Sequence, residues 1–334
     1  MADKTNKPNK NEETARKNAL RESSEVSGES VSGYNFDSGV DWEKLIDSFS
    51  NTGFQATNFS KAIEIINKMR DDKAFIYLGY TSNLVTSGLR DIFRYLAEKK
   101  MVDVIITTAG GIEEDIIKCL GDFKIGSFGA SGASLRNDGI NRAGNIFIPN
   151  SRYVKFEKFF QPLLEEVYRE NKVVTPSEII WKLGEKINDK RSIYYQCWKN
   201  KIQVYCPAIM DGALGDNLYF FQFKHPDFKV DIMGDVTWFN NTSVGLKKSG
   251  VIILGAGVVK HAILNANMLR NGTEYAVYIN NSQEFDGSDA GAMPDEAVSW
   301  GKITKNAESV KVFGDATILF PIIVAKNFRE LTDK

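Results

Sequence analysis

The sequence predicts an α/β fold built on one parallel sheet with helices on both faces, preceded by a helical extension. Three observations predict it. Short apolar runs alternate with amphipathic helical patterns through most of the chain, the order that βα units produce. Glycine-rich junctions at Thr107-Thr108-Ala109-Gly110-Gly111 and Gly255-Ala256-Gly257 follow two of those runs, where a parallel strand passes into its crossover helix. No repeat of fixed period is present, and 334 residues suffice to bury one large core. The reading is one Rossmann-like domain over residues 33–334, with residues 1–32 as a flexible N-terminal segment.

Residues 1–32 are polar and charged and cannot bury enough apolar surface to fold alone. Within them, residues 13–26 predict a short helix with a thin apolar side of Ala15, Ala19 and Leu20. From Trp42 the pattern becomes globular. Residues 59–69 read as a helix with Ala62, Ile63, Ile65, Ile66 and Met69 inward. Residues 74–80 read as a buried strand and 83–99 as the helix after it. Residues 102–106 are again strand-like and 113–120 helical. A helical middle section follows, with an apolar face from Phe156 to Val167 bent at Pro162, and a helix start at Thr175-Pro176. Strand patterns resume at 203–206, 251–254, 275–279 and 310–313.

Bulk properties exclude several classes. A net charge of −1 leaves no basic excess for non-specific nucleic-acid binding. Cys119, Cys197 and Cys206 lack CxxC spacing, so a zinc site is not read and a reducing compartment is favoured. His225 and His261 are the only histidines, which excludes a histidine-rich metal centre. The N-terminus shows no apolar signal region, and the apolar run 316–325 is too short to span a bilayer and contains Pro321. The expectation is a cytoplasmic protein that binds neither membrane nor nucleic acid.

In a parallel sheet, ligands bind beyond the C-terminal strand ends. Glycines there let the backbone approach a pyrophosphate, and a following helix N-terminus favours its charge. Gly255 and Gly257 are the front half of a dinucleotide fingerprint, but Lys260 stands where its third glycine belongs. Further on, Lys302 follows Trp300 and lies downstream of Asp286, Asp289, Asp295 and Glu296. Carboxylates suit the ammonium groups of a cationic ligand, and an indole face suits a cation or an alkyl stem. A lysine nucleophile needs its amine unprotonated, a form that apolar burial favours. A solvated acidic loop before a helix would carry the same residue types. Asp211 and Asp315 likewise read locally as turn or cap aspartates.

Several blocks are long and peculiar, and occur in a recognisable order. They are Gly33-Tyr34-Asn35-Phe36, Thr52 to Phe59, Gly79-Tyr80-Thr81-Ser82-Asn83-Leu84, Thr107 to Asp115, Gly139-Ile140-Asn141-Arg142, Asp211 to Asp216, Gly255 to His261, Gly287-Ser288-Asp289 and Pro294 to Lys302. Together they resemble the deoxyhypusine synthase family over about residues 33 to 325. The resemblance implies NAD as cofactor, with contacts at Ser82, Asn83, Thr108, Ala109, Gly110, Glu114, Asp211, Gly257, Asn281, Ser282, Asp315 and Ala316. It implies substrate binding at Asp216, Asn265, Asp289, Glu296 and Trp300, with His261 handling protons and Lys302 as the nucleophile. The implied reaction moves the aminobutyl group of spermidine through an imine on Lys302 to a lysine of the hypusine-bearing translation elongation factor. It also implies a homotetramer whose N-terminal segments cap neighbouring sites.

Three positions depart from the family pattern. Asn281-Ser282 stands where a Thr-Ala pair is usual, Ala290 where a serine is usual, and Gly255-Ala256-Gly257 where a triple glycine is usual. A missing serine hydroxyl removes one hydrogen bond, worth about 0.5–1.5 kcal/mol. Two other readings share these residues: a homospermidine synthase with putrescine as acceptor, and a regulatory paralogue that completes a partner's tetramer. Joint retention of Lys302, His261, Asp216, Asp289, Glu296 and Trp300 argues for catalysis.

Overall fold

The computed structural model describes residues 9–328. Six strands form the main sheet: β1 Phe75–Tyr80, β2 Val104–Thr107, β3 Gln203–Tyr205, β4 Ser249–Leu254, β5 Thr273–Asn280 and β6 Ile303–Phe313. All pairings are parallel, and the order is β3-β2-β1-β4-β5-β6. The order reverses between β1 and β4, which makes their C-terminal ends the switch point of the sheet.

Strand periodicity divides the interior in two. Ile76, Leu78, Tyr80, Ile105, Ile252, Leu254, Val277 and Ile279 join the helices Phe54–Asp71, Leu89–Glu98, Ala109–Leu120 and Ala316–Asn327 in the larger core. Tyr77, Val104, Ile106, Val251, Ile253, Ala276 and Tyr278 face the opposite way and pack on the helix Gly257–Met268. Covered on both faces, β1, β2 and β4 are near-continuous apolar runs, whereas the edge strand β6 carries exposed Lys305 and Asn306. Gly79 sets the helix-to-sheet distance on that second face. A Cβ there would lie 2.4 Å from Ile263 Cδ1 and 2.9 Å from Val259 Cγ1. Close packing that a third fingerprint glycine would provide from the helix is thus provided from the strand, and position 260 is free to carry a lysine.

The structure revises several expected boundaries. The N-terminal helix is Lys10–Ala19, not 13–26, because the Asn9 side chain accepts from the Asn11 amide at 3.0 Å and starts it earlier. It buries no residue. The expected helix 83–99 is two helices, Ser82–Thr86 and Leu89–Glu98. Ser87 is extended between them, and its hydroxyl accepts the Leu89 amide at 3.2 Å, so it competes with helix continuation. Pro162 lies within the unbroken helix Asn150–Glu170. Thr175 and Glu178 form a reciprocal capping box with Pro176 in the first turn. A small antiparallel sheet of Lys124–Ile125, Ile140–Ala143 and Ile146–Pro149 was not anticipated. It gives the Gly139 block a local role, since Gly139 and Gly144 have φ of 65° and 58° at its turns. No described helix is long and apolar enough to cross a membrane.

Candidate active site

Three strand ends converge at the switch point. Thr81 follows β1, Thr108 follows β2, and Gly255 follows β4. A Cβ on Gly110 would lie 2.8 Å from Ser82 Cβ, and one on Gly255 2.5 Å from Thr81 Oγ1. Gly255 and Gly257 also have φ of 79° and 65°, which disfavours other residues there. The helices Ala109–Leu120 and Gly257–Met268 begin without a side-chain cap, whereas Thr175, Ser192, Asp231 and Asp315 cap the helices that follow them. Uncapped first-turn amides at a sheet switch point suit a pyrophosphate.

The surrounding groups are held in place. Thr86 donates to the Glu114 carboxylate, and burial pushes that carboxyl up to about 7. Lys118 Nζ donates to the carbonyls of Val85 (2.6 Å), Thr86 (2.6 Å) and Ser87 (2.8 Å), closing the end of the Ser82–Thr86 helix. Asn83 accepts from Thr81 Oγ1 at 2.6 Å. Asp315 Oδ1 accepts from the amide (2.8 Å) and hydroxyl (2.7 Å) of Thr317 and starts the helix Ala316–Asn327. Its second carboxylate oxygen makes no hydrogen bond within the described residues.

Asp211 and Asp216 flank the start of the helix Ala213–Gln222 and are both exposed. Glu113, not assigned a site role from sequence, is buried beneath them. It accepts the Leu214 amide at 2.7 Å, and a Cβ on Gly212 would lie 2.7 Å from its Oε1. Burial pushes the Glu113 carboxyl up to about 7, against the pull of the Leu214 and Ala213 amides and with the push of Asp216 and Asp211. Asp216 and Glu113 line a 640 Å³ cleft with Asn141, Tyr153 and Phe220. The Glu113-Glu114 pair after two glycines was the available signal.

Lys302 precedes β6 and is only 7% exposed. Its Nζ lies 5.5 Å from the Trp300 ring centre, while Trp300 itself is exposed. The Lys302 amide donates to Ala297 (3.0 Å) and its carbonyl accepts from Thr273 (3.1 Å), so the backbone is fixed on both sides. Glu296 and Asp295 stand exposed in the first turn of the helix Pro294–Ser299. Asp289 Oδ2 is shielded from solvent and has no hydrogen-bond partner among the described residues. His261 is exposed on the Gly257–Met268 helix, with Asn265 half-buried one turn on. Asn281 is exposed, and Ser282 is half-buried with its amide on Asn280 Oδ1 at 3.0 Å.

The predicted residues therefore fall in distinct places. Ser82, Asn83, Thr108, Ala109, Gly110, Gly257, Asn281, Ser282, Asp315 and Ala316 follow C-terminal strand ends. Lys302 stands at the opposite, N-terminal end of β6, and a bulge separates Ile303 from the regular pairing that resumes at Glu308. No hydrogen bond or ion pair among the described residues joins Asp216 to Lys302, Asp289 or Glu296.

Comparison with known proteins gives a consistent result. The family described as deoxyhypusine synthase matches residues 44–327. A probable deoxyhypusine synthase of Drosophila melanogaster is 49% identical, over 95% of this chain and 94% of its own. The deoxyhypusine synthase of Neurospora crassa is 51% identical, over 86% of each. The crystal structure of a candidate deoxyhypusine synthase from Entamoeba histolytica superposes with a TM-score of 0.67 at 34% identity, covering 89% of this chain and 96% of that one. With the doubly wound sheet, the uncapped helix starts and a buried lysine behind an acidic segment in place, the chain belongs to the deoxyhypusine synthase family.

Proposed function

We propose that this chain moves the aminobutyl group of spermidine, through an imine on Lys302, to a lysine of the hypusine-bearing translation elongation factor, with NAD as cofactor. The observation that carries the reading is Asp289 Oδ2, a water-shielded carboxylate oxygen without a partner in the segment that leads to buried Lys302. A buried acceptor left unpaired costs about 1–3 kcal/mol, and a substrate ammonium would satisfy it. The Trp300 face offers the alkyl stem a wall, and Glu296 and Asp216 offer further carboxylates.

The turn residues suit NAD. Ser82, Thr108 to Gly110 and Gly257 would meet its phosphates, where a Cβ at Gly110 or Gly255 would crowd the turns. Glu114, Asp211 and Asp315 would meet ribose hydroxyls. NAD held there would supply the hydride acceptor for the carbon beside the secondary amine of spermidine and the donor for its return. His261 accepts the amine proton, and Asn265, on the same helix face, orients the chain of the substrate. The Lys302 amine attacks the oxidised carbon and expels 1,3-diaminopropane. The acceptor lysine then displaces Lys302.

Water would hydrolyse each imine, so the site must be covered. His261, Asp216 and Trp300 are exposed in a single chain. A homotetramer that buries them between subunits supplies the cover, with residues 1–32 as a further cap outside the 33–334 domain. The expected location is the cytoplasm. The test incubates the purified chain with NAD and spermidine, reduces with borohydride and weighs the intact protein, beside Lys302→Ala. A butylamine adduct on the wild type alone supports the reading, and its absence from a folded, NAD-bound wild type overturns it. Adding the translation factor or putrescine then identifies the acceptor.

A further inference from the structure

Residues 281–293 contain no helix or strand, yet they carry Asn281, Ser282 and Asp289. The segment doubles back on itself: a Cβ on Gly291 would lie 1.6 Å from the Gln283 carbonyl oxygen. Its own hydrogen bonds are few and local, from Gly287 to Glu284 (3.2 Å), Ser288 to Asp286 (2.8 Å) and Gly291 to Ser288 (3.1 Å). Two lysines outside it, each 1% exposed, reach into it. Lys260 Nζ donates to the carbonyl of Asp289 and to that of Ala292 (2.9 Å), above the Tyr278 ring at 4.7 Å. Lys311 Nζ donates to the carbonyls of Ser282 (2.7 Å) and Gly291 (2.6 Å), over the Phe313 ring at 4.4 Å.

We infer that Lys260 and Lys311 are positioning residues that latch residues 281–293 shut and thereby present Asp289 to the polyamine. Lys311 joins the two ends of the segment and so closes the loop, which limits its conformational freedom. Lys260 anchors the stretch on either side of Ala290. Both amines bond backbone oxygens, and Asp289 Oδ2 keeps no hydrogen-bond partner among the described residues, a place a cationic ligand would fill. Burial pushes Lys260 down to about 8 and Lys311 downward, opposed at Lys260 by the charges of Asp289 and Glu296 and at Lys311 by that of Glu284. This assignment explains why a lysine occupies the third-glycine place.

The inference rests on the proposed function for the role of the segment, and the experiment separates the two. Lys260→Met and Lys311→Met would be compared with the wild type by hydrogen exchange and by steady-state kinetics. Exchange over residues 281–293 should quicken about tenfold or more while Thr273–Asn280 holds, and spermidine KM should rise about tenfold with a smaller change in kcat. Unchanged exchange, or faster exchange with unchanged KM, overturns the latch. Should a variant fail to fold, the wild type still decides: amides of Ser282 and Gly291 that exchange as fast as those of Lys10–Ala19 overturn it, and strand-like protection supports it. Exchange needs no turnover, so failure of the Lys302 adduct would sink the proposed reaction while the exchange result still tests the latch.

Discussion

The turns after β1, β2 and β4 and the segment after β5 leave the same edge of the same sheet, but they are held by opposite means. The turns are held by closeness: Gly110 and Gly255 bring backbone against Ser82 and Thr81 with no room for a Cβ. The segment is held by reach, with Lys260 and Lys311 each carrying a buried charge to its carbonyls. Closeness suits a cofactor that touches backbone amides. Reach suits a carboxylate that is placed through its own backbone.

The largest effect expected is at the proposed nucleophile, to which the segment after β5 leads. Lys302→Ala should lower the rate by about a thousandfold or more and abolish the adduct without unfolding the chain, read by intact mass and thermal melting. A folded variant that still traps the butylamine would move the nucleophile elsewhere.

Glu113 sharpens the comparison as a third device, a carboxylate buried under a helix start. Its folded value is raised to about 7 from 4.5, so the folded state keeps a proton that the unfolded chain has lost. Stability should therefore fall as pH rises from about 4.5 to about 7 and level above that, by about 3 kcal/mol from this group. Urea unfolding at pH 5 and pH 8 reads the slope, to which Glu114, also raised to about 7, adds in the same window, so Glu113→Gln should roughly halve it. An unchanged slope in that variant would assign it to another group.

Next is the turn itself. Gly255→Ala places a Cβ against Thr81 at a positive φ and should destabilise by about 2 kcal/mol while weakening NAD binding. A melt and an NAD titration check it; a neutral result would mean that the turns relax as readily as the latch. The smallest effect is Ala290→Ser, within the latched segment. Restoring the family's usual hydroxyl should tighten NAD by about 0.5–1.5 kcal/mol, up to roughly tenfold in Kd. No change would place Ala290 outside the cofactor contact.

Much of this was legible in residue order. The apolar runs at 74–80 and 251–254 marked β1 and β4 to within a residue or two, because a strand buried on both faces is mostly apolar. The capping box at Thr175 and the glycine turns were equally local signals. The break at Ser87 and the small antiparallel sheet were missed, since one hydroxyl bond and four-residue strands leave too short a pattern to detect.

The sequence by itself determined the alternation of strands and helices, the glycine turns and the family to which the chain belongs, because each is written within a few neighbouring residues. Tertiary structure alone decided the reversal of strand order between β1 and β4, the burial of Glu113 under Leu214, and the destinations of Lys260 and Lys311. Periodicity is a property of nearby side chains, whereas the group a buried charge will meet is set by packing that brings distant parts of the chain together.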